Sequence, residues 1–126
     1  MAPACATVER IVTEADTAAA YGTPFPPAAA TPFVLGLAEV ACHTAIADQL
    51  APDQVTVGVR AAIEHLAPTP VGGTLTATAT ETSRHGRRIV FRVEVSDGAG
   101  LCAVVEHERA VVATAAILER LETRLP

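Results

Sequence analysis

Apolar and polar positions along this chain change period after Leu50. Between Thr31 and Leu50 the run TPFVLGLAEVACHTAIADQL is apolar at Phe33, Val34, Leu35, Leu37, Ala38, Val40 and Ala41. That density predicts one long helix over Pro32 to Leu50, buried on most sides in its first half. Thr31 is the expected N-cap, and Pro32 suits the first helical position, where its missing N–H has no helical partner. Ala51-Pro52-Asp53 ends the run. The spacing then drops to two. Gln54 to Leu66 alternates, with Val55, Val57, Val59, Ala61 and Ile63 on one face and His65 sharing their parity. Thr74 to Ser83 alternates Thr with Leu or Ala, apart from Glu81. Ile89, Phe91, Val93 and Val95 share the face of another strand, and a last strand runs near Leu101 to Val112. His85-Gly86 and Asp97-Gly98 are the turn signals between them, and Pro68 to Gly73 is a turn-rich connector. Ahead of the helix, Thr7 to Thr13 predicts a first strand. Ala15 to Ala30, with Pro24, Pro26, Pro27, Tyr21 and Phe25, reads as a lid or binding loop. A short amphipathic helix with Ile117, Leu118, Leu121 and Leu125 is expected to close the chain.

The predicted order is a strand, a long apolar helix and a four-strand antiparallel meander. A sheet wrapped around one buried helix is the hotdog arrangement, an α+β fold, here expected as a single domain over residues 1–126. One helix cannot cover both faces and both edges of such a sheet, so a homodimer is expected to bury the remainder.

Composition narrows the class. Half of the 126 residues are hydrophobic, which excludes a disordered chain, and aromatics make up only 3%, so the core must be built from Ala, Val, Leu and Ile. The net charge of −5, with nine Arg and no Lys, argues against nucleic-acid binding, which needs a basic face. Cys5, Cys42 and Cys102 form neither a metal-type pair nor a disulfide framework. No signal peptide is read in MAPACATVERIV, and no uncharged apolar run reaches membrane-spanning length. A cytoplasmic protein without membrane association is the expectation. His43 follows Glu39 by four residues, a metal-compatible spacing that lacks a second ligand pair. No metal or other cofactor is expected, and there is no Walker loop, dinucleotide fingerprint or GxSxG elbow.

Three residues carry candidate chemistry. Glu39 stands among Leu35, Leu37, Ala38, Val40 and Ala41, where a carboxylate without a partner or a task is costly. Thr31 presents a hydroxyl at a helix N-terminus, where the dipole favours developing negative charge; an ordinary cap is the competing explanation. Glu39 lies two turns on, roughly 12 Å along the axis and on a similar face. His65 points by pleat parity toward the helix, and a histidine facing a carboxylate in an apolar cavity makes an acid–base pair. Gly58 interrupts a good strand, the mark of a bulge or of close backbone approach by a ligand. Arg84, Arg87 and Arg88 flank the hairpin turn, where they are either solvated or available to phosphates.

The run Thr31-Pro32-Phe33-Val34-Leu35-Gly36-Leu37-Ala38-Glu39 is followed by Gly58, His65, Gly86-Arg87-Arg88 and His107-Glu108-Arg109-Ala110-Val111. In this order and spacing, from about Phe25 to Val112, the chain resembles the fluoroacetyl-CoA thioesterase family of hotdog proteins. The resemblance implies hydrolysis of a small acyl-CoA by a catalytic set at Thr31, Glu39 and His65. It also implies substrate contacts at Gly58 and Arg109 and a lid phenylalanine at Phe25, with Arg87 and Arg88 as candidates for the CoA phosphates. The chain departs from the family pattern at Pro32, where the family has Gly, and in a lid poorer in aromatics. The alternatives are a non-catalytic binder of acyl-CoA or another small ligand, favoured by Pro32, and a hotdog hydratase or dehydratase.

Overall fold

Residues 2–126 are described by a computed structural model. The elements run β1 (Cys5–Ile11), α1 (Thr31–Ile46), β2 (Gln54–His65), β3 (Thr74–His85), β4 (Arg88–Asp97), β5 (Gly100–Ala113) and α2 (Thr114–Arg124). A single 3-10 turn, Ala47–Gln49, carries the chain out of α1. The five strands form one antiparallel sheet in the order β1-β3-β4-β5-β2, with α1 against its concave face. This is the hotdog arrangement.

The expected four-strand meander is corrected to three, β3-β4-β5, because β2 pairs with β5 and forms the far edge. The connector after β2 contains Pro68 and Pro70 and cannot close a tight hairpin. Instead it passes beneath the loop before α1, where the Ala29 amide donates to the Thr69 carbonyl at 2.8 Å. It then reaches β1, where the Gly72 amide donates to the Val12 carbonyl at 2.8 Å. The β3–β4 turn is Gly86-Arg87, one residue later than expected, with Gly86 in the left-handed region at φ +59°.

Val34, Leu37, Ala38, Ala41, Cys42 and Ile46 of α1 pack on Leu75, Ala77 and Ala79 of β3, Ile89, Phe91, Val93 and Val95 of β4, and Ala103 and Val105 of β5. Small residues on the helix and on β3 let the layers approach closely; Phe91 is the one aromatic side chain in this core. The helix is less enclosed than its sequence suggests. Val40 is 43% exposed, because the sheet covers one side of α1 and leaves the side bearing Gly36, Glu39, Val40 and His43 open within one chain.

The expected face of β2 is also corrected. The register shifts between Gly58 and Arg60, a β-bulge at Val59. Before the bulge Thr56 and Gly58 face α1, and after it Ile63 and His65 do; Val55 and Val57 therefore do not share the face of His65. The predicted loop before α1 is held by two 3-10 turns, Glu14–Asp16 and Ala18–Ala20. Hydrogen bonds from the Ala18 amide to the Ala28 carbonyl (2.8 Å) and from the Ala30 amide to the Asp16 carbonyl (2.9 Å) tie it together. The terminal helix forms as expected, though Leu118, Leu121 and Leu125 remain exposed. Among the described residues, no helix is long and apolar enough to cross a membrane.

Candidate active site

Thr31 is the first residue of α1, and Ala30 takes the capping position. No side chain caps the helix; the Thr31 hydroxyl instead meets Nδ1 of His65 at 2.8 Å. The expected capping role is thereby replaced by a hydroxyl–imidazole pair, the arrangement in which a base activates or orients an adjacent hydroxyl. The pair lines a cavity of about 410 Å³ with Ala18, Pro26, Ala28, Ala29 and Pro68. On its other side Thr31 borders an apolar cavity of about 350 Å³ with Tyr21, Phe25, Ala30 and Pro32. Phe25 thus stands next to the Thr31 end of the helix.

Glu39 occupies a second depression, of about 310 Å³, with Gly36, Val40, His43, Val55, Thr56 and Arg109. Its Oε1 lies 3.4 Å from Nε2 of His107 and 3.5 Å from Nη1 of Arg109. Gly58 is directly beneath: a Cβ there would stand 2.5 Å from Oε1 of Glu39 and 3.3 Å from Cε1 of His107. Of the two readings given from sequence, the bulge is present beside the glycine, and the close approach is not made by a ligand. The approaching group is the protein's own carboxylate.

Beneath Glu39 a buried polar network holds Arg109. Its Nε donates to Thr56 Oγ1 (2.9 Å), its Nη2 to the Thr56 carbonyl (3.0 Å), and its Nη1 to His107 Nε2 (3.0 Å). Nδ1 of His43 meets the same Thr56 hydroxyl. Burial lowers the pKa of His107, and the Arg109 charge lowers it further. Burial likewise lowers that of Arg109, and pushes the neighbouring Cys42 thiol up to about 12, which leaves it inert as a nucleophile.

The structure therefore brings Thr31 and His65 together, and separately gathers Glu39, Gly58 and Arg109. Within one chain Glu39 makes no ion pair with His65 among the described residues, and the two line different cavities. Arg87 and Arg88 lie elsewhere, on the outer face of the sheet. They line a depression of about 340 Å³ with Val57, Val59, Ala110, Val112, Ile117 and Arg120. Arg88 is bound to Glu108 at 2.7 Å, whereas Arg87 and Arg120 make no ion pair among the described residues. Sequence reasoning missed Thr56, His107 and Arg120. Thr56 was missed because the odd-numbered valines of β2 were taken as the helix-facing set, whereas the alternation of Ala103, Val105, His107 and Arg109 in β5 carried a signal for His107. Among the described residues, no group of three or more His, Cys, Asp or Glu side chains is placed to hold a metal ion.

A family model described as fluoroacetyl-CoA-specific thioesterase matches residues 12–115. The fluoroacetyl-CoA thioesterase of Streptantibioticus cattleyicolor is 42% identical over 88 residues, a stretch that covers 70% of this chain and 63% of that relative. Among solved structures, the fluoroacetyl-CoA thioesterase FlK superposes with a TM-score of 0.93 at 31% identity, over 100% of this chain and 98% of that one. A hot-dog-like protein from Thermanaerovibrio acidaminovorans superposes with a TM-score of 0.88 at 25% identity, covering 99% of this chain and 93% of that one. With the fold and the match over residues 12–115 in agreement, the chain belongs to the fluoroacetyl-CoA-specific thioesterase family.

Proposed function

We propose that this protein is a thioesterase that hydrolyses a small acyl-CoA to the free acid and CoA, with Thr31, Glu39 and His65 as its catalytic residues. The observation that carries the reading is the 2.8 Å contact between the Thr31 hydroxyl and His65 at the start of α1, in a chain of a thioesterase family. The acyl group lies near Gly58 and Phe25. Glu39 supplies the attacking oxygen, either its own or that of a water it deprotonates. Thr31 polarises the thioester carbonyl beside the positive end of the helix dipole. As the C–S bond breaks, its electron pair leaves on sulfur and His65 delivers a proton to the thiolate. If Glu39 attacks directly, a water then cleaves the resulting anhydride, giving its proton to His65 and releasing the free acid and the Glu39 carboxylate. Trapping of an acyl-enzyme separates direct attack from water activation. Arg109, buried and bonded to Thr56 and His107, faces Glu39 through Nη1 and presents its charge to the substrate in the Glu39 cavity.

A homodimer completes this site. β2 is an edge strand, Val59 on it is 42% exposed, and the open side of α1 carries Glu39 and Val40. An isologous contact uses the same surface twice. Antiparallel pairing of two β2 strands about a two-fold axis between Ala61 and Ala62 sets Gly58 of one copy beside His65 of the other. Both residues face the helix layer, so this pairing carries Glu39 of one copy toward the Thr31–His65 pair of the second. The acyl-CoA then enters between the subunits. Its phosphates are assigned to Arg87 and Arg88, and with them to Arg120, which lines the same depression. A cytoplasmic setting is supported by three free thiols, one of them exposed.

A free-thiol assay across acetyl-, fluoroacetyl-, branched and aromatic acyl-CoAs tests the reading. Glu39→Gln, His65→Ala and Thr31→Val are each expected to lose on the order of 10²-fold or more in kcat. Variants that hydrolyse the panel as wild type does would refute the assignment. Thermal stabilisation by acyl-CoA without thiol release would favour a binding protein instead.

A further inference from the structure

His107 is fully buried at 1% exposure, and its two ring nitrogens meet partners of fixed polarity. Nδ1 lies 2.9 Å from the carbonyl oxygen of Arg60, which only accepts, so Nδ1 carries a proton. Nε2 lies 3.0 Å from Nη1 of Arg109, which only donates, and 3.4 Å from Glu39 Oε1. The guanidinium contact is the shorter, and the same guanidinium faces that carboxylate oxygen at 3.5 Å, so Nε2 presents its lone pair to Nη1. These two contacts together select one species, the neutral imidazole with its hydrogen on Nδ1. An imidazolium would turn a second N–H against the guanidinium. The Arg60 carbonyl is aimed by the β2 bulge, which sits immediately before it. The bulge, the imidazole and the guanidinium thus form a chain that ends at Glu39 Oε1, 3.5 Å from Nη1.

We infer that His107 is a positioning residue for the carboxylate: as a neutral acceptor it fixes Arg109 Nη1, and Nη1 in turn holds Glu39 over Gly58. The inference rests on the reading of Glu39 as the working carboxylate. Arg109 alone does not define this geometry. Its Nε and Nη2 are anchored to Thr56, but among the described residues Nη1 has an acceptor only in His107 besides the carboxylate itself. The ionisable groups around the imidazole are Glu39 from α1 and Arg109 from β5, with Cys42 near both of these and His43 joined through Thr56. From β2 it receives only the Arg60 backbone. Burial and the adjacent guanidinium both oppose its protonation, in keeping with the neutral form.

Two variants separate acceptance at Nε2 from donation at Nδ1. His107→Gln extends an amide oxygen toward Arg109 Nη1, whereas His107→Asn keeps a donor near the Arg60 carbonyl and has no acceptor within reach of Nη1. His107→Gln is expected to keep kcat for acyl-CoA hydrolysis within about 3-fold of wild type. His107→Asn is expected to lose on the order of 10²-fold in kcat with KM little changed, the effect of a misplaced catalytic group. Equal losses in the two variants, or none in either, would overturn the inference. Nitrogen-15 NMR of the wild-type imidazoles needs no variant: a neutral Nδ1–H signal from His107 at neutral pH is expected, and an Nε2–H tautomer or an imidazolium overturns it. Glu39→Gln, assayed alongside, keeps the two claims apart. An active Glu39→Gln defeats the proposed catalytic set, whereas an inactive Glu39→Gln with an unaffected His107→Asn defeats only the positioning role.

Discussion

A methyl group on Gly58 would stand 2.5 Å from Oε1 of Glu39, closer than real side-chain carbons approach any neighbour. The glycine is required by what lies above it, since its backbone is not in the left-handed region. The carboxylate is the far end of a flexible, partly exposed side chain, and it moves more readily than the buried His107 or Arg109. Gly58→Ala is therefore expected to fold, with a melting temperature near that of wild type, and to displace Glu39. Under the proposed mechanism kcat falls on the order of 10²-fold, because a displacement of about 1 Å at a reacting group costs that much. Full activity in a folded Gly58→Ala protein would separate Glu39 from the chemistry.

The composite site makes a prediction no single-chain site can share. In a mixture of Glu39→Gln and His65→Ala proteins, each inactive alone, the mixed dimer has one site in which both defects meet and one in which neither does. With random exchange, half the dimers are mixed and half of their sites are intact. Activity should recover to about a quarter of the wild-type value. Failure to recover after demonstrated subunit exchange would place all three residues in a site within one chain.

The outer-face arginines bear on the far end of the substrate. Arg87→Ala and Arg120→Ala are each expected to raise KM for an acyl-CoA roughly five- to ten-fold, the weight of a charge-assisted hydrogen bond to phosphate. Hydrolysis of the matching acyl-pantetheine, which lacks the nucleotide phosphates, should be unaffected. An equal effect on both substrates would show that these arginines support the fold and not the nucleotide. The difference should shrink as ionic strength rises.

The burial of His107 also predicts how stability depends on pH. Its folded-state pKa lies below the ordinary 6.5, held down by burial and then by Arg109. Between that depressed value and 6.5 the unfolded chain binds more protons than the folded one. Stability therefore rises with pH through this window and is lost as pH falls below 6.5. Thermal unfolding followed from about pH 7.5 down to about pH 5.5 should show a wild-type decline steeper than that of His107→Gln by a few degrees. The carboxylates of Glu81 and Glu108, held below the usual 4.5 by hydrogen bonds from Arg84 and from Arg88, lose their contribution only at lower pH. Parallel wild-type and variant curves would mean that His107 is already protonated in the folded protein.

The helix, the five strands and most of their ends were readable from the chain, because hydrophobic period is a local property and α1 and the strands obey it strongly. Fold class followed, since one apolar helix and an alternating sheet have few ways to cover each other. Thr31, Glu39, Gly58 and His65 stood out for local reasons as well: a hydroxyl at a helix start, a carboxylate among alkyl groups, a gap in a strand and a histidine among valines. What sequence period could not reveal was the extra residue at Val59. A single bulge reverses the parity of everything beyond it, so the face of His65 and the aim of the Arg60 carbonyl were set only when β2 paired with β5. Strand order was equally beyond reach, because pairing β2 with β5 joins residues some fifty positions apart through a connector whose path the sequence does not encode locally. His107, Thr56 and Arg109 form a site for the same reason. They come from two strands, and only the closed sheet brings an acceptor, a guanidinium and a carboxylate to one point.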